Sequence, residues 1–276
     1  MKEEKIKKIL LYAGAVFLFV FCIAPFIWMI IVSLNKHPDF LSNNVPFILT
    51  INNYIQVLTA KSVHLLDYLR NSIIISLAAA FFATFFASLS AYSITRMNFP
   101  GKIFIPIALL GFSMFPQISI VGYLFKMMTD FNWINKYYAL ILPYITLGLP
   151  LALWIMLSHF SQLSKELDEA ALVDGATRFQ ILRKIIFPIA LPGAFSTFML
   201  IFIYSFNEFL FALMFTIDYK ARTIPVGIAL FEGLYGQIPW GYIMAAAVVA
   251  IIPVILLIAL FQKYIIQGLT EGAVKG

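Results

Sequence analysis

The chain has 276 residues, 62% hydrophobic and 16% aromatic, and its 19 Lys and Arg against 13 Asp and Glu amount to only 12% charged, with a formal net charge of +6. Soluble domains average roughly 25% charged residues, so so few charges cannot cover a water-exposed surface, and the bilayer is the expected solvent for most side chains. Disorder, a coiled coil and a disulfide scaffold are excluded, as is a cysteine metal site, because Cys22 is the only cysteine.

Lys2, Lys5, Lys7 and Lys8 open the chain and lead into an apolar run that is too long for a signal-peptide core and has no clean cleavage site, so it reads as a retained anchor. A helix needs about 20 mostly apolar residues to cross the hydrocarbon. Stretches that satisfy this place six spans at about 9–35, 71–95, 103–125, 137–160, 186–208 and 242–262. Barrel strands would be about half as long. The sequence therefore predicts an all-α integral membrane protein whose residues 1–276 form a single transmembrane domain. Pro25, Pro106, Pro116, Pro143, Pro150, Pro192 and Pro253 interrupt the spans, either as ordinary membrane-helix prolines or as kinks.

Lys and Arg in short loops set orientation. One face carries the basic amino end, Arg96, Lys102, Lys165, Arg178, Arg183, Lys184, Lys263 and Lys275, which makes 12 of the 19 basic residues. That bias predicts both termini in the cytoplasm and external loops at 36–70, 126–136 and 217–241. It also accounts for the positive charge without nucleic acid.

Polar residues near the spans are few. Asn71, Tyr92 and Gln117 either line a cavity or pack between helices. Glu208, beside Asn207, is an outer-interface residue with a structural role if the fifth span ends there; if the helix continues through 209–217, it faces the translocation path or the permease partner. His37, His64 and His159 are scattered, with no spacing for a metal and no catalytic constellation around them, so no metal site and no enzyme are expected. The chain has no G-x-x-x-x-G-K-[ST], so it is not itself an ATPase.

The connection at 161–188 differs from the rest. It reads as two short helices: Ser164 can cap the first, Glu166, Asp168 and Glu169 suit its positive end, and Gly175 suits a left-handed termination. The second runs from about Ala176 to Lys184.

Within it, Glu169-Ala170-Ala171, three residues ending at Asp174, Gly175, nine residues, Ile185, one residue and Phe187-Pro188 resemble the EAA loop of ABC importer permeases, E-A-A-x3-G-x9-I-x-L-P. Six of the seven defined positions match, and Phe187 replaces the usual Leu. Arg70-Asn71-Ser72, 91–96, Asn207-Glu208-Phe209, 223–227 and the ending 268–276 extend the resemblance to carbohydrate-type permeases, similar to the smaller permease subunit of maltose- and trehalose-type systems. The resemblance implies a type I ABC importer permease fold in a bacterial or archaeal cytoplasmic (inner) membrane.

It further implies an ATP-driven, binding-protein-dependent import of an oligosaccharide or disaccharide such as maltose or trehalose, with glycerol phosphate or a polyol as the alternative. Its partners would be a second homologous permease, a cytoplasmic ATPase dimer that binds ATP and Mg, and an external substrate-binding protein; this chain would bind no cofactor. ATPase coupling would fall to Glu169, Ala170, Ala171, Asp174, Gly175, Ile185 and Pro188. The translocation path or permease interface would include Asn71, Tyr92, Gln117, Asn207 and Glu208, and the binding protein would dock near Pro225, Gly227, Tyr235 and Gly236. The rival reading, an ion-coupled secondary transporter, predicts charged mid-span residues and an internal repeat that the sequence does not show.

Overall fold

The computed structural model describes residues 2–36, 48–231 and 238–273, with side chains for 5–36, 48–231 and 238–263. Among these residues every regular element is helical: α1 Lys2–Ser33, α2 Asn52–Thr59, α3 Leu65–Arg96, α4 Phe104–Ser113, α5 Gln117–Asp130, α6 Tyr138–Gln162, α7 Glu166–Val173, α8 Arg178–Ile181, α9 Phe187–Phe206, α10 Leu210–Phe215, α11 Ile224–Ala229 and α12 Trp240–Ala273. A π-helical turn, Leu182–Ile186, joins α8 to α9. Among the described residues five helical stretches are long and apolar enough to cross a bilayer, and α4 with α5 makes a sixth if that bent pair is one crossing.

Residues 103–125, read from sequence as one span, are two helices that meet at 91°. The cause is Pro116, which starts α5 in an extended conformation with ψ of 122°. A proline supplies no N–H to the preceding turn and pushes the residue before it out of the helical region, so the helix stops at Ser113 and restarts at Gln117.

The chain divides into two units, 1–66 with 227–252, and 67–226 with 253–276. In the first, α1 is apolar on all sides beyond Lys8 and its residues stay largely exposed, with Ile9 at 66% and Phe21 at 69%. Its carboxyl end is tied down by polar side chains. Asn53, 5% exposed, donates from Nδ2 to the carbonyls of Ser33 at 2.8 Å and Asn35 at 2.9 Å, which satisfies acceptors that a helix end leaves unpaired. Ser33 and Tyr54 share a 2.6 Å hydrogen bond between hydroxyls. Gly241, near the start of α12, is needed there because a Cβ would stand 2.7 Å from Asn53 Nδ2.

In the second unit α3 has two unlike faces. Ala79, Ala83, Ala87 and Ala91, four residues apart, are each 0% exposed, whereas Phe81, Phe82, Phe85 and Phe86 point outward at 43–58% exposure. Small residues at this spacing let helix backbones approach closely in lipid, and the large side chains turn to the surroundings. Where α6 meets α9, a Cβ on Gly148 would lie 2.9 Å from Ile201 Cγ2 and 3.9 Å from Ala83 Cβ of α3. Nearer the other end, Ile75, Ala79, Val121, Met128, Leu140, Tyr144, Phe211 and Phe215 close a buried cluster of α3, α5, α6 and α10.

Gly148→Leu should therefore wedge α6 from α9 and cost about 1–3 kcal/mol, the usual range for overpacking. A lower thermal midpoint of the detergent-solubilised protein would show it; an unchanged midpoint would mean that this contact is not tight.

Candidate functional site

The 161–188 segment builds its first helix as the sequence suggests. Glu166, Asp168 and Glu169 stand in the first turn of α7, where the helix dipole favours anions, but the capping position is Lys165; Ser164, one residue earlier, accepts the Glu166 N–H at 3.2 Å. The helix ends at Gly175, whose φ of +80° lies in the left-handed region. A Cβ at Gly175 would meet nothing within 4 Å, so glycine is required there by backbone conformation and not by space. The Gly175 and Ala176 N–H groups donate to the carbonyls of Leu172 and Ala171, closing the turn.

The second helix is not separate. Thr177 and Gln180 form a reciprocal capping box that starts α8, and the helix then runs through the π turn directly into α9. Pro188 explains the turn: it has no N–H and its ring crowds the carbonyl four residues back, and the wider turn before it absorbs both. Residues 178–206 are thus one continuous helical stretch.

One face of α7 is buried and the other is presented. Asp168 and Ala171, three residues apart, are 3% and 6% exposed. Glu169 and Ala170 are exposed, as are Leu167, Leu172, Val173 at 88% and Phe179 at 67%. Ser164, Glu166, Leu167, Ala170, Ala171, Asp174 and Ile185 line a cleft of about 340 Å³. Of the residues expected to couple to an ATPase, Glu169, Ala170, Asp174, Gly175 and Pro188 are exposed, Ile185 is half-buried and Ala171 is buried. The surface is apolar with carboxylates at its rim.

What fastens α7 was not read from the sequence. Arg96 Nε, at the end of α3, lies 3.0 Å from Asp168 Oδ2, with both side chains only 3–4% exposed. Arg96 Nη2 donates to the Leu163 carbonyl at 2.9 Å, just beyond α6, and the Tyr92 hydroxyl donates to Asp168 Oδ1 at 3.2 Å. Removing one member of such a buried pair leaves the other charge uncompensated, at a cost of about 3–5 kcal/mol. A signal was available: helical spacing puts Asp168 on the same side as Ala171, opposite the rest of the acidic turn.

The residues assigned to a path or permease interface separate into three groups. Tyr92 belongs to the α7 anchor just described. Asn71 is 0% exposed and lies near the opposite end of α3. It accepts from the Tyr137 hydroxyl at 2.6 Å and donates to the carbonyls of Tyr219 and Arg222, while Ser72 Oγ accepts the Ile224 N–H at 2.7 Å. Glu208, 8% exposed, accepts the Phe211 and Ala212 N–H groups and the Tyr144 hydroxyl, the last at 2.6 Å.

Of the two places left open for Glu208, the first fits its role: α9 ends at Phe206 with Asn207 as its cap, and this buried carboxylate is structural, accepting the backbone N–H groups that open the short helix α10. Asn71, Tyr92 and Glu208 are thus buried and hydrogen-bonded within the chain. Gln117, which donates to the Tyr204 hydroxyl at 3.0 Å, and Asn207 have exposed contacts instead. Among the docking residues, Pro225 is half-buried in α11, Gly227 is buried, and Tyr235 and Gly236 lie outside the described residues.

The segment after α10 is pinned by Asn135, itself in a left-handed conformation with φ of 62°. Its Nδ2 donates to Asp218 Oδ1 at 2.8 Å and its Oδ1 accepts the Ile217 and Asp218 N–H groups. The Asn135 amide, followed by the Lys220 N–H and the charges of Lys220 and Arg222, holds the Asp218 carboxyl below its ordinary value. A depressed carboxylate adds stability above the ordinary Asp range and loses it as pH falls through the folded value. Amide-exchange protection over 217–222 should therefore fall in that acidic window, and Asp218→Asn should remove this pH dependence. An identical profile in the variant would show that Asp218 does not hold the segment.

Comparison with known proteins agrees over nearly the full length. The family profile "Binding-protein-dependent transport system inner membrane component" matches residues 71–271. The trehalose/maltose transport system permease protein MalG of Thermococcus litoralis is 52% identical over 277 residues, covering 100% of both chains. The sulfoquinovosyl glycerol transport system permease protein SmoH of Agrobacterium fabrum is 35% identical, covering 98% of this chain and 94% of its own. A solved bacterial ABC transporter involved in the import of the acidic polysaccharide alginate shares the fold, with a TM-score of 0.78 at 19% identity over 96% of this chain and 98% of its own. With its apolar helices, its EAA-type loop and these full-length relatives, the chain belongs to the inner membrane component family of binding-protein-dependent transport systems, as a non-catalytic ABC transporter permease subunit.

Proposed function

We propose that this chain is one of two homologous permease subunits in an ATP-driven importer of a disaccharide or oligosaccharide, trehalose or maltose foremost. The observation that carries the reading is 52% identity, without truncation on either side, to a permease named for a trehalose/maltose system. The apolar, acid-rimmed face of α7 supports it, because it is the surface expected of a helix that enters a groove on a soluble partner.

In this reading both termini are cytoplasmic, supported by the Lys and Arg bias. An ATPase dimer binds ATP and Mg and grips α7: Glu169 makes the charged contact, Ala170 and Ala171 allow close approach, and Asp174 with Gly175 sets the bend. Ile185 and Pro188 carry movement into α9. An external binding protein delivers the sugar to the loops around Asn52 to Leu69 and Ile217 to Trp240, and ATPase closure moves the spans from inward-open to outward-open. ATP acts by favouring one of two conformations, so the ATPase dimer must hold α7 differently in the two.

Affinity purification of the tagged chain from native membranes tests the assembly. A second permease and an ATPase should co-purify, and the binding protein loaded with trehalose or maltose should stimulate ATP hydrolysis. Stimulation only by a glycerol phosphate or polyol would overturn the substrate; recovery of the chain alone with gradient-driven uptake would overturn the importer. Gly175→Val, which forces a β-branched residue into the left-handed conformation, should lower ATP-driven uptake by about tenfold or more while the subunits still assemble. Wild-type uptake by that variant would remove Gly175 from the coupling route.

A further inference from the structure

We infer that Arg96 is a positioning residue that locks α7 to α3, so that α3, α6 and α9 move as one body when α7 is pushed. The inference rests on the coupling role proposed above for 161–188 and concerns how movement leaves that loop.

By sequence continuity alone, α7 connects forward to α9 through Gly175, Thr177 and the π turn, and backward to α6 through Leu163. An eight-residue helix is too short to hold itself. Its buried face within the chain amounts to Asp168 and Ala171. Asp168 is therefore the principal polar handle on α7, and both of its oxygens face α3: Oδ2 stands 3.0 Å from Arg96 Nε as an ion pair without hydrogen-bond geometry, and Oδ1 accepts the Tyr92 hydroxyl.

Arg96 also reaches the Leu163 carbonyl through Nη2, so one guanidinium joins the end of α3, the exit from α6 and the inner face of α7. A planar fork can bond a carboxylate and a carbonyl together, which a lysine ammonium on a flexible stem does less well. A buried ion pair is weak as a source of stability compared with an apolar pair of the same size, and its better-attested use is to fix one arrangement. Without this pair, displacement of α7 would pass along the backbone. With it, the displacement also enters α3 directly, and the contact of Gly148 with Ile201 and Ala83 keeps α3, α6 and α9 together.

The test uses the complete transporter in liposomes, with Cys22 replaced by Ser and spin labels at Phe82 on α3 and Lys165 at the start of α7, both exposed. In the wild type the distance between the labels should change by less than about 2 Å between nucleotide-free and ATP-trapped states; a change above about 5 Å overturns the inference. Arg96→Met should broaden or shift that distance and lower uptake per ATP hydrolysed by about tenfold, with Arg96→Lys intermediate. An Arg96→Met transporter that keeps both the single distance and wild-type uptake per ATP also overturns it. Should that variant fail to assemble, the wild-type distance decides alone. Wild-type liposomes that show no ATP-driven uptake would instead bring down the importer reading itself.

Discussion

A helix surrounded by hydrocarbon gains little by burying Leu against Leu, because lipid is as apolar as the neighbouring helix. What remains to bring helices together is close contact between backbones and the satisfaction of polar groups, and both shape this chain. The alanines of α3 at positions 79, 83, 87 and 91 form a flat buried ridge, and Gly148 brings α6 within van der Waals reach of α9. The same constraint turns Phe81, Phe82, Phe85 and Phe86 outward, the reverse of where a soluble protein would put them.

Among the described residues several buried polar side chains bond at or near the ends of helices. Asn53 closes α1, Glu208 opens α10, Asn71 with Ser72 holds the segment leading to α11, and Arg96 with Asp168 fixes α7. Each replaces water for backbone or side-chain groups that would otherwise be unpaired in a medium without donors or acceptors. The two ends of α3 are the clearest case: 25 residues separate Asn71 from Arg96, roughly 38 Å of helix at about 1.5 Å per residue. A single rigid rod thus carries one anchor toward α7 and another toward the 217–224 segment.

Much of the site was legible because its signals are local. The acidic first turn, the left-handed Gly175 and the exposed Glu169-Ala170 pair follow from residues within a few positions of one another. The bend between α4 and α5 was less so, since Pro116 was visible but most prolines in membrane helices cause a kink and not a 91° break. The partners of Asn71, Tyr92 and Glu208 were not legible at all. Apart from the Phe211 and Ala212 N–H groups beside Glu208, they lie 64 to 151 positions away along the chain, at Tyr137, Tyr144, Asp168, Tyr219 and Arg222, and nothing local marks them.

The sequence by itself determined that the chain is a membrane protein, where its long apolar helices lie and which loop carries the EAA pattern, because hydrophobic length and short-range spacing are properties of contiguous residues. Only the tertiary structure decided which scarce polar side chains are internal anchors, that α8 and α9 are one helical stretch, and that α7 is fastened to α3. Those outcomes depend on which distant atoms meet in a medium that leaves buried polar groups no alternative partner, and that choice is made by packing the helices together.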